Sequence, residues 1–294
     1  MVSPSSKRRA VKHIEEEGLG CKAQACRALG LVRSGAYRLP VRSQESRSLE
    51  KMIVELSDNK PRYGYRRITT LLRRQKHKVN AKRVQRVRKR EGFKVSKHQR
   101  KMRRLGQSTG LRQRAEHRNH VWSWDFVSDQ TEDGSPLRFL TLIDEYTRQC
   151  LAIHVAWSIR AVDVIAVVEA AMERYGKPEH IRSDNGPEFI AYAIGDWVKE
   201  QEIKTIYIKP GSPWENGPIE SFHDKMRDEH LNREIFGSLL EAKVLAEEWR
   251  LEYNQDRPHS SLGEQTPDEF AASCPTPLRP TASATSNNFN PANN

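Results

Sequence analysis

The sequence predicts an all-α, strongly basic front followed by an α/β body in which helices cover a mixed β-sheet. Two observations carry this reading. Residues 1–120 hold 34 Lys and Arg against 9 Asp and Glu, whereas residues 121–294 hold 16 against 29. Apolar patterning changes at the same point, from short amphipathic helical stretches to the order β-β-β-α-β-α-β-α.

The elements follow in chain order. After a basic leader, "CKAQACRALGLVRSGAYR" reads as a helix from Lys22 to Leu29, a turn at Gly30 and a second short helix opening at Ser34. This helix-turn-helix pattern occupies residues 1–47; the same pattern also serves plain packing in small bundles. Residues 48–93 form a second helical unit, in which Asn80 caps "AKRVQRVRKREG" and Gly92 closes it. Val84 and Val87 face inward there. Lys82, Arg86 and Arg90 fall in one row at i, i+4, i+8, and Arg83 and Lys89 flank them. With almost no acid in the same segment, these five cations are expected to contact phosphates rather than form an ordinary solvated face. Residues 94–120 read as an exposed basic linker and residues 274–294 as a disordered Pro/Ser/Asn-rich tail.

Between them, residues 121–273 carry the α/β pattern. "VWSWDFVS", "RFLTLIDEY" and "CLAIHVAW" are strands joined by short turns, hence an antiparallel meander. "AVDVIAVVEAAMERYG" has helical length and an apolar stripe, "HIRSD" is a strand reached by a crossover, and "EFIAYAIGDWVKEQE" and "KTIYIK" repeat the unit. The loop "PGSPWENG" then leads into the last helices, with Pro218 suited to a first turn.

Composition narrows the class. The net charge is +12, and a front half that basic is the footprint of a polyanion binder whose affinity draws on counterion release. The acidic body should repel the same polyanion unless divalent cations intervene. Cys21, Cys26, Cys150 and Cys274 show neither CxxC pairs nor framework spacing, which argues against a zinc module or disulfide scaffold. No apolar run reaches membrane-spanning length and "MVSPSSKRRAVKHIEEE" lacks a signal-peptide core, so a cytoplasmic protein without a membrane partner is expected.

Three carboxylates stand out. Asp125 lies mid-strand between Trp124 and Phe126, where an unpaired charge is expensive and needs a cation or several donors. Asp184 ends the strand "HIRSD", the usual place for a site in α/β sheets, although an Asx turn explains a lone "DNG" equally well. Glu220 follows after 35 intervening residues, in the first turn of a helix, where a carboxylate also serves as an ordinary cap. Asp224 and Arg227 share its face, and Arg227 is placed to hold a phosphate or, structurally, only an ion pair.

In these motifs the chain resembles the second-frame (OrfB) transposases of frameshifting bacterial insertion sequences, relatives of retroviral integrases. The resemblance rests on "WSWDFVSDQ", "FLTLIDEYTRQCLAI", "IRSDNGPEF", "PGSPWENGPIESF", "RDEHLNREIF" and "YNQDRPHSSLGEQTPDEF", with "PRYGYRRI" in the front half, and covers nearly the whole chain except the tail. His223, Asp224 and His230 stand where the family more usually carries Asn, Gly and Leu.

The resemblance implies an RNase H-like, retroviral integrase-type core with Asp125, Asp184 and Glu220 as a DDE set of metal ligands, and Arg227 as the basic residue expected seven places after the glutamate. It implies two Mg²⁺ ions, which Mn²⁺ can replace, and phosphodiester hydrolysis followed by transesterification. It also implies DNA partners, namely terminal inverted repeats and target, a homo-oligomer on DNA, a first-frame (OrfA) protein or fusion, and a nucleoid-associated bacterial location. An RNase H-fold nuclease that cuts without joining, and a catalytically dead DNA-binding element copy, are the alternatives.

Overall fold

The computed structural model describes residues 4–37, 44–95, 114–183, 192–207 and 217–275. The chain divides into two compact units, Met1–Pro61 with Asn80–Lys94, and Arg62–Val79 with the remainder.

In the first unit the stretch read as a basic leader is a helix, α1 (Pro4–Glu16), followed by α2 (Lys22–Ala28) and α3 (Arg33–Tyr37). Val11 on α1 is 1% exposed and joins Ala25 and Cys26 in a small core, so one apolar stripe orders an otherwise charged segment. Gly30, at φ +57°, makes the turn between α2 and α3. Helices α4 (Gln44–Asn59) and α6 (Ala81–Arg90) pack together, with Leu49, Ile53, Val84 and Val87 buried. The Asn80 side chain accepts the Lys82 amide at 2.9 Å and starts α6.

The second unit is built on a five-stranded sheet in the order β3-β2-β1-β4-β5. Strands β1 (Val121–Gln130), β2 (Pro136–Asp144) and β3 (Cys150–Ala156) form the antiparallel meander. β4 (His180–Ser183) and β5 (Lys204–Tyr207) extend it in parallel from the β1 edge. Side chains alternate across β1. Trp122 and Trp124 point to the face covered by α7 (Ala161–Tyr175) and α8 (Tyr192–Glu200), and pack with Val164, Val168 and Trp197. Val127, on the other face, packs with residues of α9 (Gly217–Met226) and α10 (Leu239–Gln255), among them Phe222, Met226 and Trp249. Each core side chain of this size contributes about 1.5–3 kcal/mol by leaving water. Asp125 shares the Val127 parity and therefore faces the side of α9. Beyond α10, a single 3₁₀ turn (Ser260–Leu262) and α11 (Pro267–Ser273) close the unit, with Thr266 and Glu269 capping α11 reciprocally.

Helix α5 (Tyr65–Arg74) groups with the sheet body rather than with α4 and α6. Its basic residues meet acids of the body: Arg67 pairs with Glu229 at 2.9 Å and Arg74 with Glu269 at 2.5 Å, while Tyr63 just before the helix donates to Glu252 at 3.2 Å. Part of the acidic charge of the body is thus met from within its own unit.

Candidate active site

Asp125 sits in the middle of β1, half-buried, directly opposite Thr141 on β2. Its Oδ1 accepts the Phe126 amide at 2.7 Å. Its Oδ2 lies 3.6 Å from Nδ1 of His223, a residue on α9 with only 14% of its side chain exposed. The Thr141 hydroxyl links the two: it donates to the Asp125 carbonyl at 3.0 Å and lies 2.8 Å from Nε2 of His223. Burial, with Arg227 acting in the same direction and Asp224 against it, holds the His223 imidazole down at about 4.

Glu220 lies in the first turn of α9, exposed. Ile219, Phe222 and Met226 anchor the buried side of that helix in the core, which leaves Glu220, Asp224 and Arg227 on its solvent side. Arg227 opens a π-helical turn (Arg227–Leu231) and reaches back to β1, donating to the Ser128 carbonyl at 3.4 Å. Asp125 and Glu220 therefore belong to two packed elements, β1 and α9, and Arg227 follows directly on α9. Asp184 lies outside the described residues; Ser183, its predecessor in sequence, ends β4, the strand hydrogen-bonded to β1.

The turn after α9 is fixed by Glu229. Arg257 grips both its carboxylate oxygens, at 2.6 and 2.7 Å, and Arg67 adds a third contact. Burial pushes the Glu229 carboxyl up, but the hydrogen bonds and charge of Arg257, with Arg67, bring it below its ordinary value. "RDEHLN" and "YNQDRPHSS" are thus tied together, a link between distant motifs that spacing alone does not disclose.

His230, in the same π turn, is 4% exposed and stacks on Trp249 at 5.9 Å. Its Nε2 is buried with no hydrogen-bond partner among the described residues.

Two other polar groups have structural explanations. Asp144 is fully buried at the end of β2 but accepts the amides of Asn119, Tyr146 and Thr147. His117, His120 and Glu179 converge near the start of β1 as a metal ligand set would. However, Nδ1 of His120 accepts the Glu116 amide at 3.0 Å, which puts the proton of the neutral ring on Nε2 and withholds its lone pair.

On α6, Lys82, Arg86, Lys89 and Arg90 are exposed and Arg83 is half-buried. They are not equally available. Arg83 is held by Ser46, and Arg90 pairs with Glu50 of α4 at 2.8 Å and with Glu91 at 2.7 Å. Glu50 lies 40 positions away in sequence, so the acid-poor look of the segment concealed it.

Comparison with known proteins agrees with this architecture. Integrase core domain models match residues 115–213 and 201–267, and an HTH-like domain model matches residues 44–101. The chain is 36% identical over 271 residues to the insertion element IS476 39.2 kDa protein of Xanthomonas euvesicatoria, covering 92% of this chain and 78% of that one. It is also 36% identical over 251 residues to the insertion element IS407 31.7 kDa protein of Burkholderia multivorans, covering 85% and 90%. The transposase for insertion sequence element IS904 of Lactococcus lactis is 26% identical over 254 residues, covering 80% and 98%. With a mixed sheet flanked by helices, an integrase core and a helix-turn-helix-like front, the chain belongs to the insertion-sequence transposases of the second-frame (OrfB) DDE type.

Proposed function

We propose that Asp125, Asp184 and Glu220 are the catalytic carboxylates of this transposase and hold its divalent metal, Mg²⁺ in two copies with Mn²⁺ able to replace it. The observation that carries this is the placement of Asp125. A half-buried carboxylate stands in mid-strand on β1, the strand against which the helix bearing Glu220 packs. The donor chemistry fits: carboxylate oxygens suit hard divalent ions, and Glu220 stands on the helix packed against β1. When bound, such ions activate the attacking oxygen and neutralise the leaving oxygen of a phosphodiester, so no protein nucleophile is required.

The chain itself supplies position. β1 holds Asp125 rigidly in the sheet, and α9, anchored by Phe222 and Met226, aims Glu220 and Arg227 to one side. Arg227, exposed beside the end of β1, is suited to hold a phosphate of the DNA strand near the carboxylates. On the first unit, the exposed Lys82, Arg86 and Lys89 take backbone phosphates, with Arg83 and Arg90 at the margins.

The substrates on this reading are the terminal inverted repeats of the element and target DNA, cut by hydrolysis and joined by transesterification. The chain works as a homo-oligomer on DNA, alone or with a first-frame (OrfA) protein or as its fusion, in association with the nucleoid. No helix among the described residues is long and apolar enough to cross a membrane. The sequence divides in function as residues 1–47 and 48–93 for DNA binding, 94–120 as a linker, 121–273 for catalysis and 274–294 as a tail.

The test is a paired cleavage and strand-joining assay on DNA carrying the element's ends. Both reactions should require Mg²⁺ or Mn²⁺ and disappear with EDTA. Cleavage without joining would instead indicate a nuclease, and DNA binding without either would indicate a catalytically dead copy.

A further inference from the structure

We propose that the cavity between α9 and residues 257–261 is a phosphate-binding subsite, which holds a backbone phosphate of the DNA strand on the flank of α9 opposite Asp125. This deepens the action on DNA ends proposed above and rests on it.

The cavity, of about 360 Å³, lies wholly within the second unit and is of ordinary size for a ligand site. Arg67, Arg148, Lys225 and Arg257 line it, and among the described residues no carboxylate does. Its side of the helix follows from pitch. Residues two apart on an α-helix stand about 200° apart, so Lys225, with Ser221 one turn before it, lies across α9 from His223, the residue that meets Asp125.

The cations exceed the acids that could balance them. Glu229 is already taken by Arg257 and Arg67. Two further acids of the unit are engaged elsewhere, Glu145 with Arg182 at 3.1 Å and Asp228 with Arg62 at 3.3 Å. Neither Arg148 nor Lys225 forms an ion pair with a described residue. Lys225 gives two of its three protons to the carbonyl and hydroxyl of Ser221, which leaves one to donate. His259 registers the crowding: burial, then Arg257, Lys225, Arg67 and Arg148, push its imidazole well below the ordinary value. Arg257 can only donate, so His259 Nε2 accepts at 3.2 Å and the ring proton sits on Nδ1, a further donor of the lining. A phosphate in the cavity offsets this mutual repulsion, and guanidinium groups match its oxygens.

The experiment uses the full-length chain and DNA carrying the element's ends, with single backbone phosphates replaced one at a time by neutral methylphosphonates. Affinity is measured without divalent metal. For wild type, one position other than the cleaved linkage should bind about tenfold more weakly, the scale of losing one charge-assisted hydrogen bond. The double variant Arg148→Gln, Lys225→Gln leaves no ion-paired carboxylate of the described residues without its partner, so its melting temperature should match wild type. It should bind unmodified DNA about tenfold or more weakly, with a salt slope lower by about two units. It should also lose the response at that one position and respond as before elsewhere. The charge-keeping pair Arg148→Lys, Lys225→Arg should retain the response. A glutamine double variant that binds like wild type, or that responds to every methylphosphonate as wild type does, would overturn the inference. So would a loss of competition by inorganic phosphate with no change at any DNA position, which would make the cavity a site for a free anion. Joining by Glu220→Gln tests the carboxylates separately: near wild-type joining would remove the proposed active site and leave the methylphosphonate pattern, and with it the subsite, in place.

Discussion

Arg257 holds Glu229 by two hydrogen bonds of 2.6 and 2.7 Å, and through that pair fixes the turn that follows the helix bearing Glu220. Both side chains are nearly inaccessible, 1% and 8% exposed. Removing one partner leaves the other charge buried and unpaired, so Arg257→Ala should destabilise the chain by about 3–5 kcal/mol. Arg67→Ala removes only the third contact, whose arginine is 29% exposed, and should cost less. Denaturant unfolding of the two variants checks the ranking. Because the Glu229 carboxyl lies below its ordinary value, its stabilisation is present above the unfolded pKa and is lost as pH falls through the folded one. Glu229→Gln should flatten stability against pH in that acid range.

His230 gives the opposite sign. Its Nε2 is buried without a partner among the described residues, a cost of roughly 1–3 kcal/mol. His230→Leu, the residue more usual in the family, should raise the melting temperature while keeping the apolar packing against Trp249 and Phe236. Burial, with Arg233 adding to it, holds the imidazole at about 4. Protonation therefore favours the unfolded chain, and stability should fall as pH drops from about 6.5, the unfolded value, toward 4. The leucine variant should lose that part of the decline; an identical pH profile would contradict the assignment.

On α6 the cations should contribute unequally. Lys82→Ala and Arg86→Ala should each reduce the salt dependence of log K for DNA by about one unit. Arg90→Ala should reduce it less, because its guanidinium is already paired with Glu50 and Glu91. Binding isotherms across a salt series measure all three. Equal slopes for wild type and the Lys82/Arg86 double variant would make the face merely solvated.

The order of elements along the chain was readable because "VWSWDFVS" and its partners alternate or run apolar between clear turns, and the observed elements follow as β-β-β-α-β-α-β-α. Register was not readable. That Thr141 stands opposite Asp125 depends on pairing between strands, and that His223 reaches both depends on how α9 docks; neither is encoded locally. Helix α1 escaped notice because its only fully buried apolar side chain, Val11, is surrounded by charge in sequence. The grouping of α5 with the body was concealed for a similar reason. Its arginines suggest a polyanion surface until Glu229 and Glu269 are found beside them.

The central claim is that Glu220 acts in metal-dependent chemistry and is more than a helix cap. The most direct measurement is Mg²⁺-dependent joining of element ends by Glu220→Gln, with DNA affinity measured on the same sample. The amide keeps the shape and the α9 packing but removes the charge, so joining should fall by about two to three orders of magnitude, the usual scale for losing a charge-stabilising group, with DNA affinity retained. Near wild-type joining by Glu220→Gln would reduce Glu220 to a cap and contradict the proposed active site.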